Sequence, residues 1–158
     1  GTPQRVVKSL YLGEGELEAH NWKLHARYLE LEEKEARFES FLTDDAELVV
    51  AAFGSAARIA KTAVMMAREQ GMKVGLLRPV TLFPFPAASF AAVADRGARI
   101  LTVELNTGQM VDDVRLAVKF RTEVDFYGRA PGAGSLPVPE EILEQITKRY
   151  RVPGTGDR

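Results

Sequence analysis

The chain has 158 residues, of which 46% are hydrophobic and 27% charged, so its composition is that of a globular protein and excludes collagen-like and disordered chains. Its 21 Lys and Arg residues nearly balance 22 Asp and Glu residues, and a formal net charge of -1 argues against nucleic acid or an anionic membrane as the main partner. Because the chain has no cysteine, it can form no disulfide, thiolate nucleophile or cysteine-ligated iron–sulfur cluster.

Residues 1–42 differ in pattern from the rest of the chain. The mixed run at 6–12 predicts a linker strand, and the acidic stretch at 14–38 predicts a helix. One face of that helix carries a narrow apolar stripe formed by Leu17, Leu24, Tyr28 and Leu31. Such a stripe suits a helix that bridges two bodies, and an ordinary surface helix is the alternative.

Residues 43–150 alternate between apolar runs and helical patterns. The predicted strands are residues 48–53, 73–77, 99–103 and 123–127. The predicted helices are residues 55–70, 87–95, a third that begins near 109, and 140–150. Residues 78–86 contain three prolines and are predicted as a loop, and residues 151–158 as a frayed tail. This alternation predicts an α/β fold with a mostly parallel sheet and helices on both faces.

In such a sheet, functional residues usually lie in the loops that connect strand ends to helix starts, and this chain has three candidate loops. They are residues 54–55, 78–86 and 106–110. Ser55 is predicted as the N-cap of the following helix, with anion binding at that helix start as a weaker option. Phe83 and Phe85 lie on a stiff proline-rich loop and are expected to be partly exposed, which favours a permanent interface. A helix cap and a tight turn in the last of these loops do not explain why Gln109 carries an amide side chain there.

The chain offers few groups for catalysis. His20 and His25 are five residues apart on the acidic helix and do not share a face, so they make a poor metal pair. No histidine lies in the α/β part, which excludes a Ser-His-Asp triad there. Gly54 stands alone after its strand and forms no dinucleotide fingerprint. Asp112 and Asp113 suit the start of a helix better than a magnesium site. We therefore expect no catalytic, cofactor-binding or metal-ligating residue in this chain.

Three segments carry a family resemblance: residues 53–61 (FGSAARIAK), 74–86 (VGLLRPVTLFPFP) and 103–115 (VELNTGQMVDDVR). Together they resemble the alpha subunit of 2-oxoacid:ferredoxin oxidoreductases, above all the enzymes for 2-oxoglutarate and for branched-chain 2-oxoacids such as ketoisovalerate. The resemblance covers about residues 6–146. It implies the C-terminal portion of that subunit, with the fold of the transketolase C-terminal domain, a three-layer α/β/α sandwich. It also implies an antiparallel first strand near residues 37–42, where periodicity alone continues the acidic helix.

The resemblance further implies a non-catalytic structural and assembly domain that is inactive alone. The parent complex would oxidatively decarboxylate a 2-oxoacid to an acyl-CoA in the cytoplasm, with thiamine diphosphate, Mg²⁺ and iron–sulfur clusters outside this chain. The partners would be the N-terminal domain of the same subunit and the other subunits, with ferredoxin and CoA reached through the complex. A flavodoxin-like module that binds an anion or small molecule is the alternative. The candidate interface or anion-binding residues are Gly54, Ser55, Arg78, Asn106, Gly108, Gln109 and Met110.

Overall fold

The computed structural model describes residue 4, residues 7–132 and residues 136–150. The chain divides into two compact units, Gly1–Glu35 and Ala36–Arg158. The first unit contains helix α1 (Glu16–Glu35), none of whose residues is buried. Residues 7–12, which belong to the expected linker strand, have irregular structure. The tail expected at 151–158 lies outside the described residues.

The second unit is a five-stranded sheet with four helices. Its elements in chain order are β1 (Phe38–Phe41), β2 (Leu48–Ala52), α2 (Gly54–Glu69), β3 (Val74–Pro79), α3 (Ala87–Asp95), β4 (Arg99–Glu104), α4 (Met110–Val118), β5 (Val124–Gly128) and α5 (Pro139–Arg149). The strand order is β1-β3-β2-β4-β5. Strands β2 to β5 are mutually parallel, and β1 runs antiparallel to β3. The mostly parallel sheet and the antiparallel first strand are confirmed.

The core lies on both faces of the sheet, because alternate residues of each strand point to opposite sides. One face packs against α2 and α5, where small residues such as Ala60 and Ala63 allow α2 to approach the strands closely. The other face packs against α3 and α4, around Phe90 and Val114. Every residue of the central strand β2 is buried. These layers form the expected α/β/α sandwich.

Two local predictions differ from the structure. Residues 14–38 are not one helix, because α1 ends at Glu35 and β1 begins at Phe38. Arg78 and Pro79, predicted as loop, are the last residues of β3, since pairing with β1 extends the strand.

Candidate functional site

The three candidate loops lie at one edge of the sheet. Strands β3, β2 and β4 are neighbours and run parallel, so their carboxyl ends meet at the same edge. Gly54 and Ser55 follow β2, Arg78 is the next-to-last residue of β3, and residues 106–110 follow β4. We call this the carboxyl edge.

A buried carboxylate organises the loop after β4. The Glu104 side chain is only 1% exposed. Its Oε2 accepts hydrogen bonds from the backbone N–H of Met110 at 2.9 Å and from Asn106 Nδ2 at 3.1 Å. Its Oε1 accepts one from the Val111 N–H at 2.9 Å, and the Gln109 N–H donates to both oxygens at 3.2 and 3.3 Å. Glu104 therefore caps the start of α4, where exposed N–H groups and the helix dipole favour a negative charge.

The turn between Glu104 and α4 is closed by Asn106, whose Oδ1 accepts a hydrogen bond from the Gly108 N–H at 2.7 Å. Gly108 has φ +107°, and an added Cβ would lie 3.3 Å from Val111 Cγ1 and 3.4 Å from the Phe126 ring. Only glycine fits this turn without strain. The loop is thus fixed by its own hydrogen bonds and by the packing beneath it.

Two residues of this loop have different environments. Gln109 is exposed and occupies the N-cap position of α4, although its side chain makes no capping hydrogen bond. Met110 is 2% exposed and packs in the core beside α3. Its side chain lies below the surface and is therefore not available for contact with a partner.

The predicted cap role of Ser55 is wrong. Helix α2 begins at Gly54, so the N-cap residue is Phe53, and Ser55 lies exposed within the first turn. No side-chain hydrogen bond caps this helix, all of which the structure describes, and its first turn has no acidic residue.

The loop at residues 80–86 is anchored at both ends and exposes apolar side chains between them. The Arg37 N–H donates to Thr81 Oγ1 at 2.9 Å, and that hydroxyl donates to the carbonyl of Pro84 at 2.8 Å. Phe83 is 69% exposed, and Phe85 is half-buried and stacks on Phe90 with ring centroids 5.1 Å apart. The predicted partial exposure of the two loop phenylalanines is confirmed.

Arg78 lies directly opposite Glu39 across the β1–β3 pair. Its Nη1 donates to Glu39 Oε2 at 3.0 Å. The Nε–H of Arg78 is buried and has no hydrogen-bond partner among the described residues.

The acidic groups at the start of α4 differ in their partners and their burial. Among the described residues, no group of three or more His, Cys, Asp or Glu side chains could hold a metal ion. Asp112 pairs with Arg115 at 3.1 Å. Partial burial, followed by the nearby charges of Asp112 and Glu104, raises the pKa of Asp113. The first turn thus supplies negative charge to the helix dipole, as predicted.

The sequence reasoning missed the role of Glu104. The available signal was a charged residue at the end of an otherwise apolar strand, since a carboxylate is almost never fully buried without partners. Arg58 and Lys61 of α2 share a cleft with Arg78. The sequence did not indicate a functional role for these two residues, because charged residues on a helix usually face solvent.

Solved structures share this architecture. A 2-oxoglutarate:ferredoxin oxidoreductase from Magnetococcus marinus with 2-oxoglutarate, coenzyme A and succinyl-CoA bound matches 89% of this chain and 24% of its own, with a TM-score of 0.76 and 18% identity. A split gene transketolase in an inactive beta4 tetramer matches over 71% and 40%, with a TM-score of 0.59 and 15% identity. The fold is therefore that of an α/β/α domain of the transketolase C-terminal class.

The family follows from sequence comparison. Residues 46–142 match the family described as Pyruvate:ferredoxin oxidoreductase core domain II. Ketoisovalerate oxidoreductase subunit VorB of Methanothermobacter thermautotrophicus is 43% identical over 145 residues, which are 92% of this chain and 40% of VorB. The 2-oxoglutarate synthase subunit KorA of the same organism is 39% identical over 110 residues, 70% of this chain and 29% of KorA. The chain belongs to the 2-oxoacid:ferredoxin oxidoreductase family, which confirms the resemblance, and it spans at most 40% of these relatives.

Proposed function

We propose that this chain is a non-catalytic structural and assembly domain of a thiamine-diphosphate-dependent 2-oxoacid:ferredoxin oxidoreductase. Its partners would be the N-terminal domain of the same subunit and the other subunits of the complex, through which ferredoxin and CoA are reached. The whole complex would convert a 2-oxoacid to an acyl-CoA. The observation that carries the proposal is the apolar surface that the anchored loop at 80–86 presents at the carboxyl edge.

That surface has the character of a contact site. Val80, Leu82 and Phe83 are all exposed on one short loop. The hydrogen bonds of Thr81 hold the loop in place, so little conformational entropy is lost when a partner covers it. Phenylalanine is enriched at the buried centres of interfaces. Exposed Gln109, which follows β4 at the same edge of the sheet, would supply hydrogen bonds at the rim.

Helix α1 supports a second contact. It is 20 residues long without a buried residue, Leu17 of its apolar stripe is exposed, and Trp22 and Leu29 are exposed outside that stripe. Since helical stability in proteins comes mainly from packing of an apolar face, such a helix gains most when a partner covers it. We assign α1 to the bridging role expected from its apolar stripe.

The residues present do not fit an iron–sulfur cluster. Without cysteine the chain cannot supply thiolates to such a cluster, and the described residues contain no candidate metal cluster. We derive no chemical step in this chain, and the proposal assigns thiamine diphosphate, Mg²⁺ and the clusters to the rest of the complex. None of the helices that the structure describes has the length and apolar character that a membrane span requires. The cytoplasmic location stays a prediction.

The family membership supports this function over the flavodoxin-like alternative, because the relatives are named as subunits of 2-oxoacid oxidoreductases. VorB shares more of this chain, and at higher identity, than KorA does. This favours a branched-chain 2-oxoacid as the substrate of the complex.

The experiment mixes the chain with the remaining subunits and measures complex formation by size-exclusion chromatography. Phe83→Gln should weaken the complex at least tenfold, because it removes apolar surface from the proposed contact. The matched control is Phe120→Gln. Phe120 is 94% exposed and precedes β5, so it lies at the opposite edge of the sheet. Failure of the wild-type chain to bind any subunit, or equal weakening by both variants, would contradict the proposed role of the loop.

A further inference from the structure

A charged cleft of about 400 Å³ lies between β1, β3 and α2. It is lined by Glu39, Ser40, Phe41, Ala57, Arg58, Lys61, Leu76 and Arg78. Its volume falls within the roughly 300–1,000 Å³ typical of small-molecule sites. Because Arg78 lies next to the last residue of β3 and Arg58 lies near the start of α2, the cleft opens near the carboxyl edge, where α/β sheets bind ligands.

The charge in this cleft is strongly unbalanced. Three cations, Arg58, Lys61 and Arg78, face a single carboxylate, Glu39. Arg58 and Lys61 are three residues apart on α2 and therefore share a face. Lys61 Nζ lies 4.7 Å from the centre of the Phe41 ring, a contact that holds the ammonium group over the cleft wall without neutralising it. The net charge suits a dianion.

Arg78 has hydrogen-bonding capacity left over. Glu39 engages its Nη1, whereas its Nε–H is buried and unpaired among the described residues. Leaving a buried donor without an acceptor is unfavourable, so a ligand oxygen that accepts from it would be bound more tightly. Nε and Nη2 form one edge of the guanidinium, and such an edge can bind two phosphate oxygens at once.

We propose that this cleft binds the phosphate group of a small-molecule ligand. Arg78 takes two phosphate oxygens, Arg58 and Lys61 neutralise the charge, and the apolar wall of Phe41, Ala57 and Leu76 packs against the remainder of the ligand. The first turn of α2, which has no acidic residue and no side-chain cap, adds its dipole to the attraction. This proposal does not depend on the assembly role.

The test uses the full chain, with inorganic phosphate and pyrophosphate as probes at constant ionic strength. Calorimetry should show saturable binding, and amide chemical shifts should move at residues 39–41, 57–61 and 76–78. Arg58→Gln should weaken the affinity about tenfold, because it removes one exposed cation and no packing. Arg115→Gln is the matched control, because Arg115 is also exposed but lies on α4 at the other face of the sheet.

Two outcomes would overturn the proposal. One is that neither probe shows saturable binding, and the other is binding that Arg58→Gln leaves unchanged. If neither probe binds and Arg58→Gln also loses the partner subunits, the cleft is assigned to an acidic segment of a partner.

Discussion

Replacement of Glu104 by glutamine tests the central element of the carboxyl edge. The two side chains have the same shape, so the substitution leaves no cavity and changes only charge and hydrogen-bonding capacity. In the wild-type protein, Oε1 accepts from the Val111 N–H and Oε2 from the Met110 N–H, both at 2.9 Å. A glutamine amide has one acceptor and one donor, so whichever way it points, one of these N–H groups faces an NH₂ group.

The magnitude follows from these contacts. One buried N–H without an acceptor costs about 1–3 kcal/mol, and the bonds that survive lose the strengthening that a charged acceptor gives. We expect Glu104→Gln to lower the free energy of unfolding by about 2–4 kcal/mol. Asp112→Asn removes a charge from the same helix turn, but at an exposed position, and should cost less than about 1 kcal/mol.

Urea unfolding followed by circular dichroism measures both variants. Amide hydrogen exchange at Met110 and Val111 should also accelerate in Glu104→Gln, because these N–H groups lose their acceptors. Glu104→Gln would refute the capping argument if it unfolded at the same urea concentration as Asp112→Asn and kept its slow exchange.

Two further predictions concern the connection between β1 and β2. Arg68 donates two hydrogen bonds to Asp45, at 2.8 and 2.7 Å, and holds the pKa of this carboxyl below its usual value. The stability that this pair contributes is present above about pH 4 and is lost as the pH falls through the lowered pKa of Asp45. The difference in urea midpoint between the wild type and Asp45→Asn should therefore be smaller at pH 3 than at pH 7. A pH-independent difference would contradict this linkage. Gly75→Ala should destabilise the fold by about 1–3 kcal/mol, because the new Cβ would lie 2.6 Å from the backbone oxygen of Leu42. If the Gly75→Ala variant unfolded at the same urea concentration as the wild type, this argument from close approach would be wrong.

The buried strands could be predicted from the sequence, whereas β1 could not. Runs such as residues 48–52 and 74–77 are apolar because both of their faces are covered, and that pattern is visible locally. The sequence of β1 is Phe-Glu-Ser-Phe, and only Phe41 is even half-buried. The strand conformation of β1 depends on its pairing with β3, and the local sequence does not show this pairing. Only the family resemblance indicated a strand at this position.

The structure brings the three predicted loops together at the ends of neighbouring strands, but the hydrogen bonding within these loops was not predicted. Ser55 satisfies the local rule for an N-cap, yet α2 begins one residue earlier without a side-chain cap. Helix α4 is capped by Glu104, which lies six residues before the first residue of the helix and reaches it through a folded loop. Local capping rules consider only the residues next to a helix start, so they cannot identify such a cap.

The alternation of side chains along β3 separates the proposed assembly surface from the proposed phosphate cleft. Leu77 packs in the core beneath α3 and α4, and the loop that follows β3 returns to that same core through Phe85. Leu76 faces the opposite core beneath α2, and Arg78, two residues later, lies on that same side. A partner that covers the loop can therefore leave the cleft open, and the domain could hold a ligand while it is assembled in the complex.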